Sequence, residues 1–115
     1  MTVGAKLQIK AGQSIAVFGL PEDVDLELPD VVEASGIPEV AIGFAPDAAS
    51  IENLHVVIAA ARTDLAAWIA YPKGGRLGTD LNREKLVALM EEYDLQPVRQ
   101  ISVNTVWSAV RFRPA

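Results

Sequence analysis

The sequence predicts an α/β domain: a mostly parallel sheet with helices on both faces, three layers in all, closed by an antiparallel hairpin at the C-terminus. Three observations predict it. Short apolar runs recur at 14–18, 39–45 and 66–71, each bounded by glycine, proline or a charged turn. Helix-periodic stretches at 47–62 and 82–93 alternate with them, which is the order of a layered α/β sheet. Two more strand-like stretches, 97–103 and 105–112, are separated by little more than Asn104, which makes them a hairpin.

Taken in order, Gly12-Gln13 is a turn and Ser14-Ile15-Ala16-Val17-Phe18 reads as a buried strand ending at Gly19. Residues 20–28 are ambiguous. Pro21, Glu22 and Asp23 suit a first helical turn, whereas Val24, Leu26 and Leu28 alternate with Asp25 and Glu27 as an extended segment would. Val31-Val32-Glu33 is a short edge strand before the Gly36-Ile37-Pro38 turn, and residues 39–45 are a second buried strand. Asp47 caps a helix reaching Arg62, with Ile51, Leu54, Ile58 and Ala61 on one face. The run 66–71 is a third strand, ended by Pro72. The helix 82–93 places Leu86, Leu89, Met90 and Tyr93 on one side and most of its charges on the other. Right-handed crossovers make the first strands parallel, and the sheet so built is Rossmann-like. Its weakest element is the first crossover, where no clear helix is written.

Composition narrows the chemistry. A chain of 115 residues is one domain, 1–115, able to bury roughly two-thirds of its unfolded surface. With no cysteine there is no disulfide, thiolate metal site or cysteine nucleophile, and with one histidine there is no multi-histidine metal site. No apolar run approaches the ~20 residues of a membrane span, and 1–6 has no signal-peptide apolar stretch, so a cytoplasmic setting is expected. The net charge of −5 argues against nucleic acid and anionic membranes as partners. It also hides an asymmetry: residues 1–64 hold three basic residues against ten acids, and residues 65–115 hold seven against five.

Ligands of open α/β sheets bind beyond the carboxyl ends of the strands, where two loops stand. Gly19-Leu20-Pro21-Glu22-Asp23 has a single glycine and two acids, the wrong chemistry for a pyrophosphate or methyl-donor site. Residues 71–83 are different. Lys73, Arg76 and Arg83 supply charge, Gly74, Gly75 and Gly78 permit close backbone approach, and Asn82 offers orienting hydrogen bonds next to a helix N-terminus. Thr79 or Asp80 is the expected cap of that helix, and Arg111 is an outlying member if its strand ends nearby. A small anionic ligand is the expected occupant. The alternative is a βα loop with solvated charges and no ligand. The spacing is not a Walker motif, because the lysine precedes the glycines. His55 has no serine or cysteine arranged around it and reads as a solvated or helix-packing residue, Trp68 and Trp107 read as core or sheet-face residues, and Glu91 and Glu92 as a solvated face. No catalytic residue, metal ligand or cofactor is assigned.

The strings WIAYPK (68–73), TDLNR (79–83) and WSAVRFR (107–113), with LQIKAGQ (7–13) and FGLPE (18–22), resemble a bacterial family of small α/β proteins of unassigned function. That resemblance marks Lys73, Thr79, Asp80, Asn82, Arg83, Trp107, Ser108 and Arg111 as the positions to watch and implies no substrate. The order of helices and the closing hairpin are similar, more loosely, to the C-terminal half of class I methyltransferases. That likeness implies that the 105–112 strand lies inside the sheet, between the strands of Trp68 and Val98. The chain departs from those enzymes at the methyl-donor loop, whose glycines it lacks. The leading expectation is therefore a non-catalytic or vestigial Rossmann-like domain binding a small anion at 73–83. The alternatives are a homodimeric interaction module using an edge strand or an apolar helix face, and residual binding of the S-adenosylmethionine type.

Overall fold

A computed structural model describes residues 1–115. The apolar runs form β1 (Ser14–Phe18), β3 (Val40–Phe44) and β4 (Ala66–Pro72), and the pair at the C-terminus forms β5 (Leu95–Ser102) and β6 (Trp107–Pro114), while β2 (Val32–Glu33) has two residues only. They make one six-stranded sheet in the order β2-β1-β3-β4-β6-β5. The first four strands are parallel, and β6 runs antiparallel to both its neighbours, β4 and β5. The last strand of the chain thus lies inside the sheet.

Side chains alternate along the central strands, so these serve two cores. Ala41, Ile69, Tyr71, Val110 and Phe112 face one way, against Val57, Ile58 and Ala61 of α2 (His55–Arg62) and Leu86 and Met90 of α3 (Arg83–Glu91). Val40, Ile42, Phe44, Trp68, Trp107 and Ala109 face the other way. Their cover is Val3 of α1 (Val3–Lys6), then Leu7, Ile9, Val24 and Leu26. Phe44 and Trp107 meet edge-to-face on this side, with centroids 5.2 Å apart and planes at 79°, a geometry favoured by the ring quadrupoles. Helices proper cover the first face. The second carries one turn of helix and an extended strap.

The strap resolves the ambiguity at 20–28. No helix forms there; Val24 and Leu26 are buried, while Asp25 between them and Glu27 after them are exposed. The alternating pattern prevails over the helix-start signal because a period of two aims both apolar side chains at the sheet without any helical turn. The first crossover therefore contains no helix, and the second is shorter still. Ala34 N–H donates to the Ile15 carbonyl and Glu39 N–H to the Ser14 carbonyl, so residues 34–39 pass the amino end of β1 and emerge as β3 on its far side.

Three boundaries differ from the sequence expectation. The helix begun at Asp47 opens as a 3₁₀ segment, Ala49–Leu54, before α2. Its capping position is Ala48, which has no side-chain cap; Asp47 stands one residue earlier, and its Oδ1 accepts from Ser50 N–H at 2.9 Å. α3 is capped by Asn82, whose Oδ1 accepts from Lys85 N–H at 2.8 Å, and not by Thr79 or Asp80. β6 begins at Trp107, because Asn104 Oδ1 accepts from both Val106 and Trp107 N–H and so holds 104–106 as a turn.

Candidate functional site

The 73–83 loop leaves the carboxyl end of β4, where Pro72 lies opposite Trp107. Its glycines answer to backbone geometry: Gly74, Gly75 and Gly78 have φ of 50°, 74° and 64°. Leu77 shares that left-handed conformation at φ 59° and is exposed, a strained arrangement for a branched side chain. Arg76 is exposed and makes no side-chain hydrogen bond.

The charged members of the loop do not converge on the glycines. Asp80 reaches across to the loop after β3. Its Oδ1 accepts from Ala48 N–H at 2.9 Å and its Oδ2 lies 3.6 Å from Lys85 Nζ. The Ala48 hydrogen bond, aided by Lys85 and opposed by desolvation, holds the Asp80 carboxyl below the usual carboxylate range. Thr79 Oγ1 accepts from Leu81 N–H, closing a local turn. Arg83 Nε donates to Gln100 Oε1 at 2.8 Å, and Gln100 Nε2 donates to the hydroxyls of Tyr71 and Ser108, both at 3.1 Å. Ser108 in turn donates to the Ile101 carbonyl. This chain of bonds ties the start of α3 to three strands and fixes the direction of the Arg83 side chain toward β5.

Arg111 lies elsewhere. It pairs with Trp68 near the opposite end of β4, about 13 Å from Pro72 at the usual rise per strand residue. Its Nη1 donates to Gln8 Oε1 at 3.3 Å on the strap-covered side. Arg111 Nε and the adjacent Trp68 Nε1 are buried donors without a hydrogen-bond partner.

Lys73 turns away from the glycines toward the β5–β6 turn. Its Nζ donates to Ser102 Oγ and to the Asn104 carbonyl, both at 2.6 Å, and its N–H donates to the Val106 carbonyl. A second cation arrives at the same residue from the opposite end of the chain. Lys6 Nζ, from α1, donates to the Ser102 carbonyl at 3.3 Å. Both lysines are half-buried. Neither has a carboxylate within ion-pair distance, the two ion pairs of the molecule being Lys85–Asp80 and Arg113–Asp64. Lys6 is the member that sequence reasoning misses, since nothing local at residue 6 points to residue 102.

A separate hollow of about 390 Å³ lies between the carboxyl ends of β1 and β3, walled by Phe18, Phe44 and Leu54, with Ser50 and Asn53 as its polar members. This is the switch point of the sheet, because the chain leaves β1 for one neighbour and later occupies the other. No three histidine, aspartate or glutamate side chains come together as metal ligands would.

Comparison of the chain with protein-family models, with curated proteins and with solved structures gives no match.

Proposed function

We propose that this chain is a non-catalytic Rossmann-like domain that binds a small anion, or the acidic group of a partner, at the lysine end of the 73–83 loop. The observation that carries the proposal is the convergence of Lys6 and Lys73 on Ser102 without a carboxylate. Two ammonium groups brought to one residue repel each other, and neutral oxygens compensate only part of that cost. An anion bridging them offsets the repulsion and takes the ammonium protons that Ser102 and Asn104 leave unused. The glycine loop then serves to turn the chain at Lys73 and not to cradle the ligand. Of the loop's other polar side chains, Thr79, Asp80, Asn82 and Arg83 make structural hydrogen bonds and Arg76 makes none, and no two of them are paired as a nucleophile and its base would be, which favours binding over catalysis.

The strand order supports the looser fold resemblance, since β6 between β4 and β5 is the placement that a methyltransferase-like sheet implies. Fold does not supply function. The loop after β1, with Gly19 followed by Pro21, Glu22 and Asp23, favours neither a methyl donor nor a dinucleotide.

Thermal unfolding in phosphate, sulfate and nucleotides, against chloride at matched ionic strength, tests the proposal. A ligand of the folded state at a hundred times its Kd adds about 2.7 kcal/mol, roughly ten degrees for a domain of this size. The gain should vanish in the double variant Lys6→Gln with Lys73→Gln, which keeps side-chain donors and removes both charges. An equal gain in wild type and variant, or none with any anion, overturns it.

A further inference from the structure

The two edges of the sheet are finished differently. β5 is long, but Pro97 lacks an N–H and the register slips between Pro97 and Arg99, so this edge is bulged against further pairing. β1 has no such guard. β2 covers it at Ser14 and Ile15 only, and the chain then departs toward β3. On the β2 side the Gln13 and Ile15 carbonyls accept from Val32 and Ala34, while Ser14 serves the β3 side through Glu39. By the same alternation the N–H and C=O of Val17 face the open edge, where no strand stands. Beside them is an open hollow of about 510 Å³, formed by residues 15–18 with Val31, Glu33 and Ala34.

The stretch of chain that forms this edge is acidic. Between Lys10 and Arg62 the chain carries nine carboxylates and no lysine or arginine, and both ion pairs of the molecule lie outside that span. Glu33 lines the hollow, and Glu22 and Asp23 stand on the loop leaving β1 without a side-chain hydrogen bond.

We infer that the open edge of β1 accepts an extended segment of a partner protein bearing lysine or arginine, as an added strand continuing the line begun by β2. Main-chain bonds to Val17 set its register, alternate apolar side chains enter the hollow, and the others meet the carboxylates. This inference is independent of the anion site, which lies at the other end of the sheet order.

The test uses a labelled short peptide alternating valine with lysine, its glutamate counterpart, and a version with a central proline. The lysine peptide should bind, weaken as salt rises, and bind the protein at least about tenfold more tightly than either control. Bound peptide should slow hydrogen exchange of the Val17 amide. Val17→Pro removes that N–H without taking a bond from the β1–β3 ladder, and should abolish binding. Glu33→Lys, which leaves the backbone untouched, should weaken it. Equal binding of the lysine and glutamate peptides, binding without protection of Val17, or no binding at low salt overturns the inference. A concentration-dependent mass in ultracentrifugation that Val17→Pro removes would assign the edge to a second copy of this chain, and overturns it too.

Discussion

The two faces of the sheet each carry an apolar core and are covered by different means. On one, α2 and α3 lay down Val57, Ile58, Ala61, Leu86 and Met90 from regular turns. On the other, Val3, Leu7, Val24 and Leu26 arrive from a single helical turn and an extended strap. Backbone satisfaction separates them. A helix closes its own hydrogen bonds, so its cover is assembled locally. The strap lies outside the ladder and is held by long-range pins: Glu27 Oε1 accepts from Val3 N–H at 3.1 Å, and Gly4 packs so close to the Glu27 carbonyl that a Cβ there would stand 2.6 Å from its oxygen.

If both covers belong to one cooperative core, truncation on either face must cost global stability. Leu86→Ala empties a fully buried site between a regular helix and the sheet, and should cost about 3–5 kcal/mol. Leu26→Ala is nearly as buried, but the irregular strap can relax into the space, so the expected cost is about 2–3 kcal/mol. Urea unfolding with an unchanged m-value measures both. A Leu26→Ala cost near zero would show that the strap adds cover without adding stability.

The glycines sharpen the contrast. A Cβ at Gly43 meets the buried tips of Leu54 at 2.6 and 2.9 Å, groups that can rotate. A Cβ at Gly4 meets backbone, which cannot yield without lifting α1 from the strap. Both alanine variants should lose about 1–3 kcal/mol, with Gly4→Ala the more costly, as thermal midpoints will show. The reverse order would place the tighter joint on the helical face.

The same contrast decides what the sequence can disclose. The strands at 14–18, 39–45 and 66–71, the hairpin and both main helices are legible because each is set by neighbours within a few residues. The strap is not, since Val24, Leu26 and Leu28 fit an extended segment in any setting. The cap of α3 falls to Asn82 because its Oδ1 reaches Lys85 N–H, while Thr79 and Asp80 are drawn into other bonds. At the candidate site, the glycines and cations of 73–83 are plain in the sequence, but the direction of Lys73 follows from the pairing of Pro72 with Trp107, which sets the lysine against the β5–β6 turn. Lys6 depends on a contact 96 residues away, beyond any local pattern.

Asp80 gives the smallest expected effect and isolates how the loops are pinned on the helical side. Its carboxyl is held below the usual range chiefly by the Ala48 N–H, so the folded state favours the ionised form. A carboxyl with a depressed folded pKa contributes stability that is complete above its unfolded value and fades as pH falls through the folded one. Asp80→Asn keeps an oxygen able to accept from Ala48 and removes the charge. Wild type should therefore be the more stable at neutral pH, and the gap should close below about pH 4. High salt should shrink only the part due to exposed Lys85, leaving the part due to the Ala48 hydrogen bond. Denaturation midpoints across pH 2 to 7 decide it, since a gap that persists in acid would mean that shape, not charge, fastens the 73–83 loop to the loop after β3.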